Sequence, residues 1–95
     1  MKKEYYIYFM ANNNNKCLYI GVTNNIERRV LEHKTNLNKS FTSKYKCYKL
    51  VYTEIFYKIE EAILREKQLK KWKREWKNLL VSQINPNWDD LYFNL

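Results

Sequence analysis

The chain is poor in the residues that usually break or staple a fold: one glycine, one proline, two cysteines and one histidine in 95 residues. Cys17 and Cys47 stand apart, with no Cys-x-x-Cys spacing and no companions for a zinc site, so a structural metal is not expected. Two isolated cysteines point to a reduced, intracellular protein rather than a disulfide-stapled secreted one. Met1-Lys2-Lys3 runs into Glu4 and strand-like residues without an apolar stretch, so no signal peptide is expected. No apolar run approaches the roughly 18 residues of a membrane span. There is no flexible linker and no internal repeat, and only Asn12-Asn13-Asn14-Asn15 is of low complexity. These absences leave a soluble, cytoplasmic protein as the expectation.

What is present is aromatic and basic. A hydrophobic fraction of 45% and an aromatic fraction of 17% are globular values, which excludes a disordered tail. The length suits one domain over residues 1–95, with a single modest core. Eighteen Lys and Arg against ten Asp and Glu give a net charge of +8. Such a field attracts polyanions, nucleic acid first and an anionic membrane surface second. A merely basic soluble protein is the plain alternative.

Glu4 to Met10 and Lys16 to Val22 read as antiparallel strands joined through the asparagine run, whose residues tolerate turn geometry. A hairpin symmetric about Asn13 and Asn14 pairs Tyr8 with Tyr19 and sends both phenols to one face. Asn24, with Glu27 three residues later, is the expected cap of a helix over Asn25–Lys34. Thr35 to Tyr45 is polar and lacks periodicity, as a loop does; Tyr48 to Phe56 reads as a third strand. Ile59, Ala62, Ile63, Leu69, Trp72, Trp76, Leu79, Leu80 and Ile84 then recur at helical spacing. They predict one long helix, or two joined near Trp72 and Lys73, ending before Pro86. Trp88 and Leu91 are expected to fold the tail onto the core. Gly21 sits at the strand-to-helix junction, where a missing side chain admits another backbone or a phosphate.

Several polar residues fall on faces that should be apolar. In the first helix Ile26 and Val30 mark the buried side, and Arg29 and His33 share it. Arg29 is either a snorkelling arginine or a functional cation; His33 is either a satisfied boundary histidine or a site residue. Glu66 lies one turn from Ala62 and Ile63 and one turn before Leu69, on the inward stripe. Carboxylates are seldom buried unless paired or bound to a metal. The choice for Glu66 is a salt bridge to an inward arginine or a ligand for a hard cation such as magnesium. Lys67, Lys70, Lys71, Lys73, Arg74 and Lys77 crowd the outer side of the helical region as a candidate phosphate-contacting stripe, with Lys44 adding charge from the loop. Trp72 and Trp76 suit core or partner packing better than base stacking.

Tyr6-Ile7-Tyr8, Tyr19-Ile20-Gly21, Arg29, His33 and Glu66, in that order, closely resemble the GIY-YIG nuclease superfamily, in particular its small stand-alone bacterial members. The likeness spans about Glu4 to Leu91, through Phe41-Thr42-Ser43-Lys44-Tyr45, Glu61 to Lys67 and Asn85-Pro86-Asn87-Trp88. Two departures stand out: Tyr6 replaces the glycine of the first motif, and the chain has no room for the additional DNA-recognition domain that many such nucleases carry. The resemblance implies an α+β fold, a three-stranded antiparallel sheet flanked by helices. It also implies hydrolysis of a nucleic-acid phosphodiester with one divalent metal, leaving 5′-phosphate and 3′-hydroxyl ends. Carried onto this chain, Glu66 would hold Mg2+ (or Mn2+), Tyr8 would be the general base, and Tyr19 would orient water or phosphate. Arg29 would stabilise charge on the phosphate, and His33 would relay a proton or contact phosphate. A free tyrosine has a pKa of about 10, so Tyr8 needs activation by a metal-linked water, neighbouring cations or His33.

The resulting expectation is a magnesium-dependent endonuclease of low sequence specificity acting on DNA rather than RNA, with branched, nicked or damaged forms as candidate substrates. Lys44, Lys67, Lys70, Lys71 and Arg74 are the expected nucleic-acid contacts, no membrane is involved, and the protein is a monomer or weak homodimer. The alternative is a nucleic-acid-binding module of the same fold with residual or no catalysis. A basic membrane-surface or protein-partner domain explains the charge but not the inward carboxylate.

Overall fold

A computed structural model describes residues 3–35 and 45–95. The element order is β1 (Tyr5–Ala11), β2 (Leu18–Thr23), α1 (Ile26–Lys34), β3 (Lys49–Phe56), α2 (Ile59–Lys71), α3 (Arg74–Ile84) and a closing 3-10 turn over Leu91–Asn94. The strands make one antiparallel sheet in the order β2-β1-β3, with β1 in the middle. This is the expected α+β architecture.

The sheet is covered on both faces, which is why β1 reads as a nearly unbroken apolar run rather than an alternation. Ile7, Phe9, Ala11, Ile20, Val51 and Tyr52 bury one face against Leu69 of α2 and Val81 of α3. Tyr8, Met10 and Leu50 bury the other against Ile26 and Val30 of α1, with Cys47. A β-bulge opposite Phe9 and Met10 gives β3 one extra residue, so Val51 and Tyr52 both reach the α2 side. Glu54 of β3 takes a two-pronged pair from Arg65 of α2, Nε at 2.9 Å and Nη2 at 3.0 Å, and this ties the helix to the sheet edge.

The hairpin register differs from the expected one. Tyr8 lies opposite Gly21 and Tyr19 opposite Met10, so the turn is centred one residue later, between Asn14 and Asn15. The asparagines themselves set this. The Asn12 side chain accepts from the Cys17 amide at 3.0 Å, the Asn15 amide donates to the Asn12 carbonyl at 3.0 Å, and Asn15 takes the left-handed conformation at φ 60°. Moving the centre by one residue moves each partner by two, so the faces are unchanged.

Helix α1 starts one residue later than expected: Asn25, not Asn24, is the cap, and its side chain accepts from the Arg28 amide at 3.1 Å. The apolar spacing over 59–84 resolves into two helices broken at Trp72 and Lys73. Their burial is shallower than the periodicity suggested. Ala62, Leu69 and Val81 are buried, whereas Ile59, Ile63, Trp76, Leu79 and Ile84 are exposed, because two short helices lie across a sheet of only three strands. Trp76 instead stacks edge-to-face on Trp72, ring centroids 6.1 Å apart. The tail folds back as expected. Asp90 accepts from the Leu50 amide at 3.1 Å and pairs with Lys34, and Leu91 packs on the α1 side.

Candidate active site

The sheet and α1 bring Tyr8, Tyr19, Arg29 and His33 together. Tyr8 and Tyr19 point to the same face from neighbouring strands, and their ring centroids lie 6.0 Å apart. Val30 and Ile26 anchor α1 on that face, which turns Arg29 and His33, one helical turn apart, toward the tyrosines. The His33 ring lies 5.7 Å from that of Tyr8 and 5.6 Å from that of Tyr19.

Gly21 completes the arrangement. A Cβ there would sit 2.5 Å from both Cζ and Oη of Tyr8. The missing side chain therefore admits the Tyr8 ring, and not the backbone or phosphate that the sequence suggested. No left-handed backbone is involved, since the glycine φ is not positive.

The Tyr8 oxygen is the hub. Arg29 Nε donates to it at 3.2 Å, and His33 Nε2 lies 3.1 Å away. Arg29 can only donate, so the Tyr8 oxygen accepts from it and has its own hydrogen to give. Burial pushes the His33 pKa down to about 4, helped by the Arg29 charge, so the imidazole is neutral near pH 7. A neutral ring with its hydrogen on Nδ1 leaves Nε2 as acceptor, and the chain Arg29 to Tyr8 to His33 is then satisfied at every link. Burial raises the Tyr8 phenol well above its ordinary value, although the Arg29 hydrogen bond and charge pull the other way. His33 and Tyr8 are 2% and 1% exposed, while Tyr19 and Arg29 are half-buried in front of them.

Tyr6, the departure from the first motif, lies two residues before Tyr8 and partly covers the same face. Its hydroxyl donates to Glu4 at 2.6 Å, which takes its head toward the start of the strand rather than onto the Tyr8 oxygen. That hydrogen bond, with burial, raises its pKa to about 12.

Glu66 is placed differently from the other four. It belongs to α2, which packs on the opposite face of the sheet from α1. Its side chain is 17% exposed, and it pairs with Lys70, one turn on, at 3.5 Å, not with an inward arginine. Among the described residues no three His, Cys, Asp or Glu converge on one point. A magnesium ion, however, keeps several waters and needs only one or two carboxylates plus substrate phosphate. A single carboxylate such as that of Glu66 is compatible with a site of that kind.

The expected nucleic-acid contacts divide. Lys67, Lys70 and Lys71 are exposed along α2. Arg74 is instead committed to the hairpin: its Nη2 donates to the Asn15 carbonyl at 2.6 Å, its Nη1 to the Lys16 carbonyl at 3.0 Å, and its Nε to Asn78 at 2.8 Å. Lys44 lies outside the described residues, as does most of the expected loop from Thr35 to Tyr45. Lys77, part of the basic run but not among those expected contacts, lines a cleft beside Tyr19 with Lys70. Its place in the run gave no sign of that, because only the break between α2 and α3 turns it inward.

Residues 4–79 match the family described as the GIY-YIG catalytic domain. The chain is 40% identical over 65 residues to a UPF0213 protein of Clostridium perfringens, covering 68% of this chain and 70% of that one. It is 35% identical over 82 residues to a UPF0213 protein of Syntrophus aciditrophicus, covering 85% and 92%. The fold is similar to the solution NMR structure of a UPF0213 protein from Bacillus halodurans, at a TM-score of 0.58 and 26% identity, with 92% of each chain covered. No helix among the described residues is long and apolar enough to cross a membrane.

Proposed function

The chain belongs to the GIY-YIG family of nucleases, and on that premise we propose that it is a divalent-metal-assisted endonuclease hydrolysing DNA phosphodiester bonds. The observation that carries this reading is the hydrogen-bonded chain from Arg29 through the Tyr8 oxygen to a neutral His33. A buried phenol between a fixed donor and a neutral acceptor has a directed proton path, which packing alone does not require.

In this reading water attacks phosphorus and gives its proton to the Tyr8 oxygen, while Tyr8 passes its own hydrogen to His33 Nε2. The new P–O bond forms as the bond to the 3′-oxygen breaks; that oxygen takes a proton from solvent, leaving 5′-phosphate and 3′-hydroxyl ends. Burial and the Arg29 charge oppose the imidazolium, and the bound phosphate, an anion, offsets both. Arg29 stabilises charge building on the phosphate, and Tyr19, half-buried beside Tyr8, positions it. Glu66 would hold the metal, Mg2+ or Mn2+, which when bound supplies positive charge to a phosphate oxygen. The net charge of +8 supports a polyanionic substrate.

Plasmid nicking tests this, with Mg2+ and with EDTA, using wild type, Glu66→Ala and Tyr8→Phe. Cleavage should require metal, vanish in Glu66→Ala and fall at least about 100-fold in Tyr8→Phe with DNA binding kept. Equal cleavage by a folded Glu66→Ala protein refutes the metal role.

The burial of Tyr8 favours a second reading, a DNA-binding module without catalysis: it is 1% exposed, and that burial raises its phenol pKa. Calorimetry separates the two. Absence of a Mg2+ or Mn2+ site, with oligonucleotide present, selects the binding module.

A further inference from the structure

The sheet divides the candidate site, with the tyrosine cluster under α1 and Glu66 on the α2 side. The halves approach each other round the exposed edge of β2. Along that edge runs a cleft of about 280 Å³, with Leu18, Tyr19 and Ile20 on one wall and Lys70 and Lys77 on the other. Tyr19 thus belongs both to the tyrosine cluster and to the cleft. Lys70, on the facing wall, is the residue that pairs with Glu66. The cleft therefore links the two halves through residues each already uses.

Lys77 is the informative member. It is half-buried, and its ammonium donates to the Lys70 carbonyl at 3.4 Å, near the C-terminal end of α2. No carboxylate pairs with it among the described residues. Burial, and then the neighbouring Arg74 charge, hold its pKa below the ordinary lysine value. Both penalties fall on the cation and both are relieved by an anion in the cleft. The opposite wall offers apolar Leu18, half-buried, and the half-buried ring of Tyr19, which suit a sugar edge rather than a carboxylate-bearing partner.

We propose that Lys70 and Lys77 form a phosphate subsite for the nucleic-acid strand next to the reacting bond, so that the backbone crosses the β2 edge from Tyr19 toward Glu66. This rests on the nuclease reading and adds to it a path for the strand. Catalytic chemistry does not depend on Lys77; grip on the flanking phosphate does.

The test uses a short labelled duplex in EDTA, where binding is read without cleavage. The slope of log K against log salt should fall by about 0.9 in Lys77→Gln, as for one lost phosphate contact. Affinity near 0.1 M salt should fall about 3- to 10-fold, Lys77→Arg should restore it, and Lys58→Gln, on the exposed start of α2, should match wild type. A Lys77→Gln slope and affinity equal to wild type overturn the subsite. Because Lys77 also caps α2, a second arm uses the unmodified protein and duplexes with single methylphosphonates. Wild type should lose affinity at a phosphate within a few nucleotides of the cut; loss at none of them overturns the proposal. If wild type binds no DNA at all, the nuclease reading and the subsite fail together. If wild type cleaves with metal and neither arm shows a loss, only the subsite fails.

Discussion

His33 offers the sharpest check, because it is the only histidine in the chain. Its ring is 2% exposed, sits against Arg29 and Tyr8, and has its pKa pushed from 6.5 to about 4. In the unfolded chain the imidazole binds a proton below about pH 6.5, whereas in the fold it does so only below about pH 4. Between those values the unfolded state holds more protons, so stability falls as the pH is lowered through the window. The loss is about 1.4 kcal/mol per pH unit and roughly 3 kcal/mol in all, complete near pH 4. Proton NMR of the untagged protein reads the titration directly, since one imidazole signal moves. Urea melts at pH 7, 5.5 and 4.5 read the stability, with His33→Gln removing this contribution and leaving that of the carboxylates. An NMR midpoint near 6.5, or equal pH dependence in wild type and His33→Gln, refutes the penalty that burial and the Arg29 charge place on the imidazolium.

Gly21→Ala should destabilise the protein by about 2–3 kcal/mol in urea melts, because the new Cβ meets the Tyr8 ring at 2.5 Å in a strand that cannot shift freely. It should also lower cleavage as far as Tyr8→Phe does; a wild-type melt would show that the ring has room. Arg74→Ala should cost about 1–2 kcal/mol in thermal or urea melts by releasing the Asn15 and Lys16 carbonyls. Its DNA affinity should fall less than that of Lys77→Gln, and a larger fall would return Arg74 to the phosphate-contacting stripe. Glu66→Ala should leave the melt within about 0.5 kcal/mol of wild type, since its pair with half-exposed Lys70 is an ordinary helix-surface pair.

Local patterns carried much of this protein. Tyr8 and Tyr19 share a face in either register, because side chains alternate with period two and the hairpin centre moved by a whole residue. Arg29 and His33 follow from their spacing to Ile26 and Val30 along one helix, and the break at Trp72 and Lys73 fell where the apolar spacing had allowed it. The asparagine run announced a turn but not its register, which the Asn12 side chain and the left-handed Asn15 decide.

Local periods assigned which polar groups turn inward, since helix and strand repeats fix faces from near neighbours. What those groups meet was set by packing between elements. That Gly21 makes room for the Tyr8 ring, that Arg74 holds the hairpin rather than a phosphate, and that Glu66 lies across the sheet from the tyrosines all depend on contacts between distant elements. The spacing of residues along one element is silent about such contacts, because they are set by how helices settle on the two faces of a three-stranded sheet.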